Sequence, residues 1–276
     1  IISMAVGEPD FPAPAVVRAA AVAKIESGDV RYTPAAGTPS LRKALAEHLS
    51  ATRRVPYAPE EVTVCHSGKH ALSGTLFAVV DHGDEVLIPL PAWASYFDLV
   101  RCAGGTPVLV PPDRTDGVRP DLAALARAVT KKTRALMLCS PNNPSGHVYS
   151  RAELQALGEL ACEHDLVIVS DEIYRSLVYE GDEALSPASL GPEVKARTAI
   201  VDGASKAYAM TGYRIGFLAG PKALAAAVAK LHSQTTGSPS AVSQHAFEAG
   251  LRTHAPEMDE MRKDFRERRD FLVAGL

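Results

Sequence analysis

Seven short apolar runs, at residues 61–66, 85–89, 106–110, 135–140, 166–170, 198–201 and 215–219, alternate with longer amphipathic stretches from about residue 40 onward. Runs of four to six residues are too short for a helix, and their near-continuous apolar character fits strands covered on both faces. The intervening segments carry helical signals. Residues 39–50 place Leu41, Ala44, Leu45, His48 and Leu49 on one helical face, with Thr38 as the cap and Pro39 at the first helical position. Residues 151–164 follow Ser150 with Glu153 three positions on, the pattern of a capping box. Strands alternating with helices predict an α/β fold with a mostly parallel central sheet and helices on both faces. The last two runs are separated by too little chain for a helical crossover. One of them is therefore expected to be antiparallel or at an edge.

Composition narrows the class of protein. The 276 residues can bury a sizeable core. A net charge of −3 with no basic block argues against a nucleic-acid or other polyanion surface. No apolar run approaches the ~20 residues that span a bilayer, and the start has no signal-peptide pattern. Cys65, Cys102, Cys139 and Cys162 show no C-x-x-C spacing, and Cys65 and Cys139 sit inside apolar runs. Reduced thiols and a cytoplasmic setting are expected. The chain starts Ile-Ile-Ser and stops within a helical pattern at Leu276, so it reads as a piece of a longer protein.

In an open α/β sheet, ligands bind beyond the carboxyl ends of the strands, so the residues just after each run are the candidates for chemistry. After 198–201 comes Asp202-Gly-Ala-Ser-Lys206, with Arg214 eight positions further on. Lys206 lies among small and apolar residues. It is either a lysine reaching solvent from a strand end or an amine kept partly unprotonated by desolvation and nearby cations, ready to form a Schiff base. After the first run, Ser67 and Gly68 open a helical segment, 71–80. They form either a plain tight turn or an anion site of backbone N–H groups and a hydroxyl. Thr63 stands five positions before Gly68, which excludes a P-loop, and no Glu follows His66, which excludes a zincin helix. No metal site is expected. Residues 140–146, Ser-Pro-Asn-Asn-Pro-Ser-Gly, fix the backbone with two prolines and leave the side chains of Asn142 and Asn143 as directional polar groups at the crevice, with an ordinary turn the alternative for Asn142. Asp171 follows an apolar run and precedes Tyr174, and reads either as a helix cap or as a carboxylate requiring a cationic or hydrogen-bonding partner. Trp93 is either a core residue or a flat face for stacking.

One ligand would use all of these groups. Its phosphate would take Ser67, Gly68 and Arg214, its protonated ring nitrogen Asp171, its ring oxygen Asn143 and Tyr174, and its aldehyde Lys206. That ligand is pyridoxal 5′-phosphate (PLP). A serine hydrolase, prompted by Gly203-Ala-Ser-Lys-Ala207, fails because the nucleophile elbow needs glycine where Ala207 stands.

Motifs at Gly7–Phe11, Tyr32–Gly37, Ser67–Leu72, Gly83–Val86, Ser140–Gly146, Ser170–Tyr174, Ser205-Lys206 and Gly212–Gly216 occur in the order and spacing of one family. In these the chain resembles class I aminotransferases of fold type I, in the bacterial aspartate aminotransferase-like branch. The resemblance implies a PLP-dependent transfer of an amino group between an L-amino acid and a 2-oxo acid, by a ping-pong mechanism. Lys206, Asp171 and Tyr174 would be catalytic. Ser67, Gly68, Lys69, Trp93, Asn143, Ser205 and Arg214 would join them around the cofactor. Tyr32 would reach the phosphate in a neighbouring subunit of a homodimer. Gly7, Trp93, Asn143 and Lys69 would face the substrate, Lys69 meeting a distal carboxylate of an acidic one. Residues 1–15 would belong to a small domain at the substrate entrance and 16–276 to the large PLP-binding domain. The family's arginine for the substrate α-carboxylate is expected beyond residue 276. Gly203 stands where the family often has serine, so one phosphate contact is expected to be missing or taken by Ser205. The alternatives are another reaction on the same cofactor (β-elimination with C–S cleavage, or decarboxylation) and a non-catalytic PLP-binding regulator module.

Overall fold

The computed structural model describes residues 7–181 and 184–276. The chain runs through α1 (Ala15–Glu26), α2 (Pro39–Arg53), β1 (Val62–Cys65), α3 (Gly68–Val79), β2 (Glu85–Pro89), α4 (Ser95–Cys102) and β3 (Thr106–Val110). It continues through α5 (Leu122–Ala128), β4 (Thr133–Cys139), α6 (Arg151–Glu163), β5 (Val167–Asp171), α7 (Pro192–Lys195), β6 (Thr198–Gly203) and α8 (Ala204–Ala207). β7 (Gly216–Ala219), α9 (Lys222–Thr235), α10 (Ala241–Arg252) and α11 (Pro256–Gly275) follow. All seven apolar runs form strands, and both helical segments with cap signals form helices. The Thr38 side chain accepts from Leu41 N–H at the start of α2, and Ser150 and Glu153 close a capping box on α6.

The strands make one sheet in the order β1-β7-β6-β5-β4-β2-β3. β7 pairs antiparallel with both β1 and β6, while the β2–β3, β2–β4, β4–β5 and β5–β6 pairs are parallel. The antiparallel strand expected from the short 201–215 connection is therefore β7, and it sits inside the sheet rather than at an edge. Its reversed direction brings its N-terminal end to the carboxyl ends of β1, β4, β5 and β6. Side chains alternate across the sheet as strand geometry requires. Met137, Val169, Val201 and Leu218 pack on the face covered by α3, α4 and α9. Leu138, Ile168, Ile200 and Phe217 pack on the other, under α5 and α6 at one end and α1, α2 and α10 at the other.

A buried ion network fastens the strand ends that matter below. Arg53, at the end of α2, donates from Nε to Glu172 at 2.9 Å and from Nη2 to Asp202. Glu172 also accepts from Ser186 Oγ at 2.6 Å. One guanidinium thus ties the residue after β5 to a residue of β6. Arg53 and Glu172 are both nearly fully buried, and removing one partner strands the other's charge in low dielectric. Arg53→Met is expected to lower stability by about 3–5 kcal/mol, read from urea-unfolding midpoints.

Candidate active site

The cleft lies along the edge of the sheet where β1, β4, β5 and β6 end and β7 begins. Ser67 caps α3, its Oγ accepting from His70 N–H at 3.2 Å. The first turn of this helix presents its N–H groups at the sheet edge. β7 passes so close beneath that a Cβ on Gly216 would lie 2.5 Å from Gly68 N and 2.6 Å from the Ser67 carbonyl carbon. A Cβ on Gly203 would lie 2.8 Å from Gly216 Cα. Two facing glycines in β6 and β7 allow this approach, which accounts physically for glycine at 203 in this chain. Gly216→Ala is expected to push the Ser67–Gly68 turn outward. The result should be a loss of roughly 2 kcal/mol or more of stability and weaker phosphate binding, checked by unfolding and by titration with inorganic phosphate.

Arg214 follows a short turn at Thr211–Tyr213 and holds a left-handed backbone, φ 50°, an uncommon state for a non-glycine residue. Its Nη1 donates to Thr211 O at 2.9 Å. Ser205 is buried on α8.

Asp171 is the last residue of β5 and is 5% exposed. Oδ2 accepts from the Tyr96 hydroxyl at 2.7 Å and Oδ1 from Ile173 N–H at 3.2 Å. Burial pushes its carboxyl up to about 6, against the pull of the Tyr96 and Ile173 hydrogen bonds. Tyr96 was not singled out by the sequence reading. It stands three residues after Trp93, one helical turn on, and that spacing is the signal that could have marked it. The Trp93 and Tyr96 rings meet edge to face at 5.4 Å, so Trp93 packs against the core beside Asp171's partner.

Asn143 Nδ2 lies 3.4 Å from the Tyr174 hydroxyl, and burial raises the Tyr174 phenol above its ordinary pKa. Lys206 Nζ donates to the Gly7 carbonyl and sits 6.0 Å from the Tyr174 ring centroid. Burial lowers its pKa below that of an ordinary lysine; Arg214 pushes the same way and Glu8 opposes. A cavity of about 710 Å³ opens on this side, lined among others by Gly7, Asn143, Tyr174, Lys206, Tyr179 and Arg269. Ser67, Gly68, Asp171, Trp93 and Arg214 lie outside its lining. Two expected residues stand apart from this cluster. Lys69 places its ammonium 4.7 Å over the Trp93 ring, a cation–π contact, and is not in the cavity wall. Tyr32 is fully exposed.

A buried carboxylate held by two donors, a glycine-lined helix N-terminus and a half-buried amine of lowered basicity suit a ligand with a cationic ring nitrogen, a phosphate and a carbonyl carbon. Fold and cleft together define an α/β enzyme of the PLP-dependent transferase class. The whole chain, residues 1–276, matches the family Aminotransferase class I and II. It is 43% identical to the probable aspartate/prephenate aminotransferase of Thermus aquaticus, over all of this chain and 72% of that protein. The aspartate aminotransferase of Rhizobium meliloti superposes with a TM-score of 0.96 at 41% identity, over 100% of this chain and 69% of that one. The Thermus thermophilus aspartate aminotransferase solved with maleate gives 0.93 at 42% identity, over 98% and 71%. The chain belongs to the class I and II aminotransferases. It is an enzyme of amino acid metabolism whose cofactor is pyridoxal 5′-phosphate.

Proposed function

We propose that this aminotransferase works on dicarboxylic substrates, exchanging the amino group of L-aspartate or a close acidic analogue with a 2-oxo acid in two ping-pong half-reactions. The observation that carries the mechanism is the placement of Lys206 and Asp171 at the ends of adjacent strands. Likeness to relatives named for aspartate, one of them solved with the dicarboxylate maleate, supports the substrate class.

Bound PLP supplies an electron sink for the pair left behind when the substrate Cα loses its proton. Asp171 holds positive charge on the ring nitrogen, and Tyr96 and Ile173 N–H hold Asp171 in place. Asn143 and Tyr174 would hold the ring oxygen, and Trp93 would cover the ring. Ser67, Gly68, Ser205 and Arg214 receive the phosphate, Ser205 serving where Gly203 has no side chain. Lys206 Nζ would hold the cofactor, then take the proton leaving the substrate Cα and deliver it to the cofactor carbon that had carried the carbonyl. Its lowered basicity keeps a fraction of the amine neutral for both tasks. Gly7 orients Lys206 through its carbonyl and borders the substrate's place, together with Asn143 and Trp93. Lys69 leaves the Trp93 face to meet the distal carboxylate.

Residues 1–15 are assigned to a small domain at the substrate entrance and 16–276 to the large domain. A homodimer in which Tyr32 reaches the partner's phosphate accords with a tyrosine that is fully exposed and makes no part of its own cleft. A cytoplasmic setting accords with four free cysteines, and among the described residues no helix is long and apolar enough to cross a membrane.

Purified enzyme with PLP should convert L-aspartate only when 2-oxoglutarate or another 2-oxo acid is supplied, with parallel double-reciprocal lines. Release of ammonia and pyruvate, or of carbon dioxide, without a 2-oxo acid would favour elimination or decarboxylation. Binding of PLP with no turnover on any amino acid would favour the regulator module.

A further inference from the structure

Behind the β1–α3 turn, away from the cavity, lies a cluster that the reaction does not use. Cys65 closes β1, His70 stands in the first turn of α3, and His232 lies in the last turn of α9. The Cys65 Sγ, one ring nitrogen of His70 and one of His232 all fall within 4.8 Å of one another. The two imidazoles stack at 4.1 Å between centroids, 19° from parallel, and the His66 ring meets His70 edge-on at 5.2 Å.

His232 carries the argument. It is fully buried, and neither of its ring nitrogens has a hydrogen-bond partner. Leaving a buried polar group unpaired costs about 1–3 kcal/mol, so such a residue needs a reason to be there. The space for it depends on Gly74 of α3, where a Cβ would lie 3.2 Å from His232 Nε2 and 3.0 Å from Val228. His70 is only half-buried and reaches Thr236 Oγ1 at 3.3 Å, so a path from solvent exists on that side.

We propose that Cys65, His70 and His232 bind a divalent cation of the zinc type. One thiolate and two imidazoles are the donor set that zinc and cobalt(II) prefer over magnesium or calcium. Tetrahedral zinc with these ligands spaces its donors by roughly 3.3–3.8 Å. Closing the cluster therefore takes about 1 Å of movement, and the imidazoles must rotate out of their parallel stack to aim both lone pairs at one point. His70 gives up one of two long hydrogen bonds, the 3.3 Å contacts to His66 N–H and Thr236, in doing so. Burial holds the Cys65 thiol protonated, so binding forms the sulfur–metal bond and releases the thiol proton to solvent. Water entering beside Thr236 takes the fourth position. The bound cation ties β1, α3 and α9 together one turn behind Ser67 and Gly68, outside the reacting side of the cleft.

The test uses untagged, metal-stripped enzyme titrated with cobalt(II). The expected result is uptake of one equivalent per chain, a thiolate-to-cobalt charge-transfer band with tetrahedral ligand-field bands, and displacement by zinc. Cys65→Ser should remove the charge-transfer band, and His232→Ala and His70→Gln should each weaken binding roughly 100-fold or more. His70 is partly exposed, so His70→Gln decides the matter if His232→Ala does not fold. Cys102→Ser, at the exposed cysteine, should change nothing. Absence of stoichiometric uptake, uptake unaltered by Cys65→Ser and His70→Gln, or a band lost with Cys102→Ser would each overturn the proposal.

Discussion

Lys206→Ala is expected to lower the rate of amino transfer by a factor on the order of 10⁴ or more, because in the proposed mechanism one side chain both anchors the cofactor and moves the proton. Positioned acid–base groups alone contribute roughly 10²–10⁴. The variant should still fold and bind PLP. Among the described residues the Lys206 ammonium meets the Gly7 carbonyl and the Tyr174 ring at the cavity wall, so the core loses little when it is removed. The measurement is single-turnover conversion of L-aspartate, together with borohydride reduction and mass spectrometry. In the parent enzyme, reduction should fix the cofactor to the peptide bearing Lys206; in the variant it should fix nothing. Retained turnover in Lys206→Ala would place the proton transfer elsewhere.

Asp171→Asn is expected to move activity and stability in opposite directions. Removing the charge that holds the ring nitrogen protonated should cost about 10²–10⁴ in kcat/KM. Stability of the cofactor-free protein should rise at neutral pH, for a reason read from the carboxyl's titration. Burial raises its folded-state pKa from 3.8 to about 6. Between those values the folded chain binds the proton more tightly than the unfolded one, so the group's contribution to stability falls as pH rises through that window. The full penalty, up to about 3 kcal/mol, applies above pH ~6. Asparagine carries no such charge and should flatten this part of the profile. Urea midpoints at pH 4.5 and 7.5 test it. An identical pH slope in parent and variant would show that Asp171 is comfortably charged without a cation beside it.

The strands and the main cleft residues could be read from the sequence because both rest on local pattern. Buried strands are largely apolar, and the candidate groups stand at or just beyond their ends, as Asp171 closes β5 and Lys206 comes three residues after β6. Spatial order was harder to read. The short 201–215 connection marks a reversal, yet nothing in the residues of β7 says that it lies between β1 and β6. That placement comes from pairing residues 62–65 with 216–219, far apart in the chain. Tyr96 was hidden for a related reason: its hydroxyl meets a carboxylate 75 positions away. The Arg53–Glu172–Asp202 network likewise joins three distant segments. Gly203 looked like a missing side chain in sequence, whereas its close approach to Gly216 shows a position with no room for one.

The inner position of β7 also affects when the enzyme can become competent. Among the described residues β1 has no strand neighbour except β7, so until residues 216–219 arrive the first strand has no sheet to join. A polypeptide emerging from the ribosome can order β2 through β6 by adding parallel neighbours. The Ser67–Gly68 turn, by contrast, stays unsupported until the final strand inserts. Long-range closures of this kind are the slow ones. The Ser67–Gly68 turn is therefore encoded in the first third of the chain and completed near the end of folding, so a chain cut before β7 lacks the strand that supports it.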